Sequence, residues 1–276
     1  MISFNLETIF QGIPQLCKRP FSDIKCEALS GETNKNVLLS VDKQKYVLRI
    51  PRQTSNTFIN REDEAHNSKI AETLELSPLN LWREVDIKQG ITGLSLTSYM
   101  EHSRISEKSD FENPQFLKRI SNLLITLHNS KAPFIGLLDK RRIAHALTQY
   151  FEFCNHKNKL LLKDAYKKSI KLLEEIKYDR PAVPSHVDLV KENILVTPDK
   201  IWLIDWEYSA MSSPFWDIAI LCNSGRLEES TANTFLQSVL IDNHENDIQC
   251  LKHYRFITKT ISDCWKSAVK SSPKQD

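Results

Sequence analysis

The chain has 276 residues, of which 41% are hydrophobic, and carries 37 lysines and arginines against 35 acids for a formal net charge of +2. That is apolar material for one large domain or two small lobes, and so even a balance of charge speaks against nucleic acid as the main partner. The six cysteines form no C-x-x-C pair, no basic leader precedes an apolar run, and no stretch nears the ~18 apolar residues that cross a bilayer, so the reading is a cytoplasmic protein with reduced thiols and no membrane partner.

Along the chain, Val37 to Val41 and Tyr46 to Ile50 are apolar stretches on either side of Asp42-Lys43-Gln44-Lys45, a hairpin pattern. From Asn60 to Leu74, the residues Ala65, Ile70, Ala71 and Leu74 recur at helical spacing, with Pro78 following as a stop. Strand-like pieces from Leu81 to Ile87 and Leu94 to Met100 lead into the polar stretch Glu101 to Asn113, which reads as a hinge. This divides the chain into an N-terminal lobe over residues 1–101 and a C-terminal lobe over 102–276. Phe116 to His128 is strongly amphipathic, and two lysine-rich helical stretches fall between Arg141 and Lys177. Asn193 to Thr197 and Ile201 to Ile204 then flank Pro198-Asp199-Lys200 as a second hairpin. The expected class is α+β, with a small β-rich first lobe and a larger, mainly helical second one.

The chemistry is concentrated around that second hairpin. His186, Asp188 and Asn193 form an H-x-D-x-x-x-x-N pattern ahead of it, and Asp205 ends its second strand. Phosphoryl transfer from ATP calls for a carboxylate that orients the attacking hydroxyl and accepts its proton, and for hard oxygen ligands that hold Mg²⁺ on the phosphates. Asp188 suits the first role, Asn193 and Asp205 the second. Singly such residues cap turns and end strands; in this joint pattern the catalytic reading is the stronger. His186 reads as a brace for the loop. Neither G-x-x-x-x-G-K-[ST] nor G-x-G-x-x-G occurs, which argues against P-loop and Rossmann folds. Asp205-Trp206-Glu207 stands where a protein kinase has D-F-G, and no A-P-E follows.

The stretch from Ser185 to Ala219, with Ile204-Asp205-Trp206-Glu207-Tyr208 and Pro214-Phe215-Trp216-Asp217-Ile218-Ala219, resembles the choline/ethanolamine kinases within the superfamily that includes the aminoglycoside phosphotransferases. The resemblance runs through nearly the whole chain and implies a two-lobed, protein-kinase-like fold with ATP and Mg²⁺ as cofactors. Leu29-Ser30-Gly31-Glu32-Thr33-Asn34-Lys35-Asn36 is similar to the family's loop over the nucleotide, so Ser30, Gly31, Thr33 and Asn34 are implied contacts. It further implies that Arg49 grips phosphates, that Glu64 of Arg61-x-x-Glu64 anchors Arg49, and that adenine sits near Met100 and Glu101. For the acceptor it implies Glu207, Tyr208, Asp217 and Trp265, while Trp206 and Trp216 stay open between pocket and core. The acceptor expected is a small amino alcohol, choline first or ethanolamine. Thiamine, an aminoglycoside, or a catalytically silent binding module remain the alternatives, and no oligomeric state is read.

Overall fold

The computed structural model describes residues 6–29, 34–51, 59–86, 90–240, 242 and 244–271. Its first layer is an antiparallel sheet of β1 (Lys25–Leu29), β2 (Asn34–Val41), β3 (Gln44–Pro51), β4 (Asn80–Asp86) and β5 (Gly90–Ser98), in the order β1-β2-β3-β5-β4. Alternation drives it: Val37, Leu39 and Val41 of β2, Leu48 and Ile50 of β3, and Leu94 and Leu96 of β5 are all buried in one cluster. A short helix, α1 (Leu6–Gly12), caps that face through Phe10, with Ile13 and Leu16 following. Each such side chain contributes about 1.5–3 kcal/mol by leaving water. The β2–β3 turn is tighter than the four polar residues expected. Val41 pairs with Gln44, leaving Asp42 and Lys43 as a two-residue turn with Asp42 at φ 54°.

Between β3 and β4 runs α2 (Arg61–Thr73), whose N-cap Asn60 accepts from the amides of Glu62 and Asp63. This helix buries Glu64, Asn67, Ser68 and Glu72 along with Ala71, an expensive choice unless every polar group finds a partner. Asn67 shows how the cost is met. Its Nδ2 donates to the carbonyls of Ile135 at 3.0 Å and Ser209 at 2.9 Å, and its Oδ1 accepts from the Ile135 amide at 2.8 Å. The helix is thereby fastened to the second lobe.

That lobe is built on α3 (Pro114–His128), α4 (Lys140–Phe153), α5 (His156–Glu175), α6 (Pro214–Ser224), α7 (Glu229–Val239) and α8 (Asp247–Ser271). Short strands β6 (Arg104–Ile105), β7 (Leu137–Leu138), β8 (Val183–Ser185), β9 (Ile194–Val196), β10 (Ile201–Leu203) and β11 (Ala210–Ser212) form two three-stranded sheets, ordered β10-β9-β6 and β7-β11-β8. The core joins Phe111, Phe116, Ile120, Leu124, Leu203, Phe215 and Tyr254. Among the described residues no helix is long and apolar enough to cross a membrane.

The polar stretch from Glu101 to Asn113, read as a hinge, is itself structured: it contains β6 and a 3-10 turn over Lys108–Glu112. The reason is internal satisfaction of its polar groups. Glu107 and Asp110 form a capping box, and Arg104 grips Asp110 with both terminal nitrogens, at 2.7 and 2.6 Å.

Candidate active site

The loop from His186 to Asn193 joins β8 to β9, and its shape comes from buried hydrogen bonds to its backbone. Asp217, at the first turn of α6 and wholly buried, accepts from the amides of His186 at 2.9 Å and Val187 at 2.8 Å. Together these hold Val187 at φ 72°, a strained value for a β-branched residue. Trp216 Nε1 donates to the Val187 carbonyl at 2.9 Å, and the Lys191 amide donates to Ser224 Oγ at 2.8 Å. His186 is fully buried, and its Nε2 lies 3.0 Å from the Ile204 carbonyl, the brace expected of it. Burial outweighs the neighbouring Asp217 charge and lowers its pKa, so it stands neutral.

Within this frame Asn193 Nδ2 donates to both the carbonyl and the Oδ2 of Asp188, at 2.9 and 3.1 Å, fixing the carboxylate. The Ile204 amide donates to the Asn193 carbonyl at 3.0 Å, which brings the end of β10 alongside. Asp205 follows at φ 65°. So the three polar groups singled out around the hairpin do converge.

Arg49 on β3 reaches Asp205 from the first lobe, Nη1 to Oδ1 at 3.4 Å, while Nη2 donates to Glu64 and to the Gly93 carbonyl. Burial opposes its charge, but Glu64, Asp205 and Glu207 more than compensate and raise its pKa. Glu64 is the centre of the network. It pairs with Arg49, with Arg61 at 2.7 Å, and with Arg83 at 3.6 Å, and although burial pushes its carboxyl up, those three guanidiniums hold it below the usual range. Arg61 also meets Glu207 at 3.1 Å, and Asn34 Nδ2 donates to the same Glu207 oxygen at 3.3 Å. Gly93 is required beside Arg61: its φ is +88°, and a Cβ there would lie 2.7 Å from Arg61 Nε.

Negative charge is left over on the side facing Asp188. Burial, then Glu207, pushes Asp188 up to about 6 and Asp205 up to about 7. The Oε1 of Glu207 is buried with no hydrogen-bond partner. Among the described residues no three His, Cys, Asp or Glu side chains make a ready metal cage. An orphaned carboxylate oxygen beside raised acids, with hard oxygen donors only, fits Mg²⁺ held by two protein ligands and completed by phosphates.

The remaining expected residues divide. Ser30, Gly31 and Thr33 lie outside the described residues. Met100 is half-buried at the crossing between lobes, but the Glu101 side chain is exposed and turned to Lys45 at 3.2 Å. Asp217 lies behind the loop: both its oxygens accept from loop amides, and His128 Nε2 lies 3.2 Å from Oδ2. Glu207 faces Arg61 and Asn34 through one carboxylate oxygen. Trp265 is half-buried on α8. Trp206 and Trp216 are core, with their indole nitrogens donating to Leu203 and Val187 carbonyls. Tyr208 does sit in the site. Burial, Tyr150 and Glu207 raise its pKa, while Tyr150 on α4 is pushed up to about 12 by burial, Asp188 and Glu207. Tyr150, Arg83 and Gly93 are site residues that sequence reasoning missed; only the helical phase of Tyr150 with the buried Leu147 marked it as inward.

Two lobes with a buried arginine–glutamate pair over an Asp–Asn–Asp hairpin define a kinase-like phosphotransferase. Residues 26–252 match the "Phosphotransferase enzyme family", and the chain belongs to it. Protein LicA of Haemophilus influenzae is 31% identical over 257 residues, 89% of this chain and 72% of that one. The fold is shared with choline kinase LicA from Streptococcus pneumoniae, at a TM-score of 0.79 and 22% identity over 98% of this chain and 93% of that one. It is also shared with Plasmodium vivax ethanolamine kinase, at a TM-score of 0.73 and 20% identity over 99% and 84%.

Proposed function

We propose that this phosphotransferase uses ATP and Mg²⁺ to phosphorylate the hydroxyl of a small amino alcohol, choline first, with ethanolamine as the alternative. The observation that carries the reading is the convergence of Asp188, Asn193 and Asp205 beneath the Arg49–Glu64 pair. LicA has been determined in complex with AMP, which supports a nucleotide between the lobes here, residues 1–101 above and 102–276 below. All six cysteines are free, which suits a reducing cytoplasm.

Asn193 and Asp205 would hold Mg²⁺, which when bound neutralises charge on the phosphates. Arg49, kept straight by Glu64 and the Gly93 carbonyl, exchanges Asp205 for phosphate oxygens. Ser30, Gly31, Thr33 and Asn34 would contact the nucleotide, with the adenine near Met100 and Glu101. Asp188 accepts the acceptor's hydroxyl proton at a carboxylate oxygen, its partner oxygen being held by Asn193. Tyr208 and Tyr150 supply aromatic faces for an ammonium group, with Trp265 completing the pocket.

The test is ADP release with Mg·ATP against choline, ethanolamine, thiamine and kanamycin, with Asp205→Ala as the blank. Release with choline or ethanolamine, absent in the blank, is expected. Release only with kanamycin or thiamine would overturn the acceptor, and silence without nucleotide binding would overturn the kinase.

A further inference from the structure

The charge of this molecule is unevenly placed. Between Lys140 and Lys171 stand nine lysines and arginines against two acids, Glu152 and Asp164, a surplus of seven in a chain whose total is +2. In α5, Lys157, Leu160, Leu161, Asp164, Lys168 and Lys171 follow one another at helical spacing on the face opposite the buried Ser169 and Leu173, and all six are exposed. Leu160 and Leu161 are 63% and 71% exposed, and Phe153 at the end of α4 is 70% exposed. The Glu152–Lys159 ion pair, at 2.6 Å, ties the end of α4 to the start of α5. Single exposed apolar residues are ordinary; two successive exposed leucines on a lysine-rich helix face, with a third exposed apolar side chain at the end of the preceding helix, are not.

We propose that this α4–α5 corner docks on an anionic lipid surface, with Phe153, Leu160 and Leu161 entering the head-group layer and the lysines meeting lipid phosphates. Charge complementarity selects the occupant. A second copy of the chain would bring like surpluses together, and a polyanion without an apolar phase would leave the leucines wet. Lysine suits the role because its aliphatic stem lies along an apolar layer while the ammonium stays in water. The proposal does not depend on the acceptor's identity. Docking here brings the Tyr150 side of the site toward the lipid, because Tyr150 precedes Phe153 by one helical turn.

Flotation of the full chain with vesicles of phosphatidylcholine alone, or mixed with phosphatidylglycerol, tests it. Binding to the mixed vesicles only, weakened by salt, is expected. Leu160→Gln with Leu161→Gln should reduce it roughly tenfold at unchanged charge, an order of magnitude set by apolar burial in the interface. Lys157→Gln, Lys168→Gln and Lys171→Gln should each cost roughly fivefold. Turnover and circular dichroism should not move in any of these variants. The proposal falls if phosphatidylglycerol vesicles are not bound at low salt, if the leucine pair has no effect, or if double-stranded RNA or an acidic protein fragment displaces the vesicles without loss in the leucine variant.

Discussion

On the Arg49 side of the site, Arg49, Arg61 and Arg83 are held by the side chain of Glu64, and Arg61 also reaches Glu207 of the second lobe. On the Asp188 side the loop is held through its backbone: Asp217 takes two amides, Ser224 a third, and Trp216 supplies a donor to a carbonyl. Ion pairs of the first kind can exchange partners when a polyphosphate arrives, because a guanidinium meets phosphate and carboxylate oxygens with the same fork. A backbone held by a buried carboxylate has no such freedom. The first region can respond to charge, and the second keeps one geometry.

Substitutions should expose that difference. The largest effect is expected at Asp188→Asn, which removes the proposed proton acceptor: turnover should fall by about 10²–10⁴-fold while nucleotide affinity, read by titration with Mg·ATP, stays near wild type. Wild-type turnover in this variant would remove Asp188 from the mechanism. Glu64→Gln leaves the surrounding guanidiniums short of a counter-charge, a loss of about 3–5 kcal/mol for a buried pair, and should appear mainly as a raised KM for ATP. Asp217→Asn puts an amide nitrogen against a loop amide and costs about 1–3 kcal/mol of stability. It should lower kcat with the KM for ATP unchanged, the opposite split from Glu64→Gln. If both variants altered the same constant, the two sides of the site would not be independent.

Asp247 provides a control away from both. It accepts from the His244 amide at 2.8 Å, the Tyr178 hydroxyl at 2.9 Å and Arg180 at 2.6 Å, at the start of α8. Burial pushes its carboxyl up, but the Arg180 hydrogen bonds, the His244 amide and the Tyr178 hydroxyl outweigh that and lower it. A depressed carboxyl stabilises the fold above its unfolded pKa and loses that contribution as pH falls through the folded value. Asp247→Asn should therefore lower Tm at neutral pH by the smallest amount of the set. The gap from wild type should close as the buffer is taken below the carboxylate range, with kcat unchanged throughout.

Much of the site was legible because it is local. Asp188, Asn193 and Asp205 sit around one hairpin, so their spacing alone brings them near one another, and the apolar stretches Val37 to Val41 and Tyr46 to Ile50 announced the β2–β3 hairpin above them. The Arg49–Glu64 pair joins a strand to a helix and was reached through resemblance. Arg83, Gly93 and Tyr150 were missed because nothing near them in the chain distinguishes a guanidinium on Glu64, a carbonyl under Arg49, or a phenol beside Asp188 from ordinary strand and helix residues.

Asp217 marks where local reading stops. It lies in the same conspicuous stretch as Glu207 and Tyr208, and its residue type suits an ammonium partner as well as it suits a backbone amide. Periodicity, turn chemistry and the spacing of donors are properties of neighbours in the chain, so the sequence by itself determined the β2–β3 hairpin, the amphipathic helices and the hairpin that carries Asn193. Which carboxylates keep an open oxygen and which are consumed behind the loop depends on what α6 packs against, and on burial that no residue carries alone. Only the tertiary structure decided that.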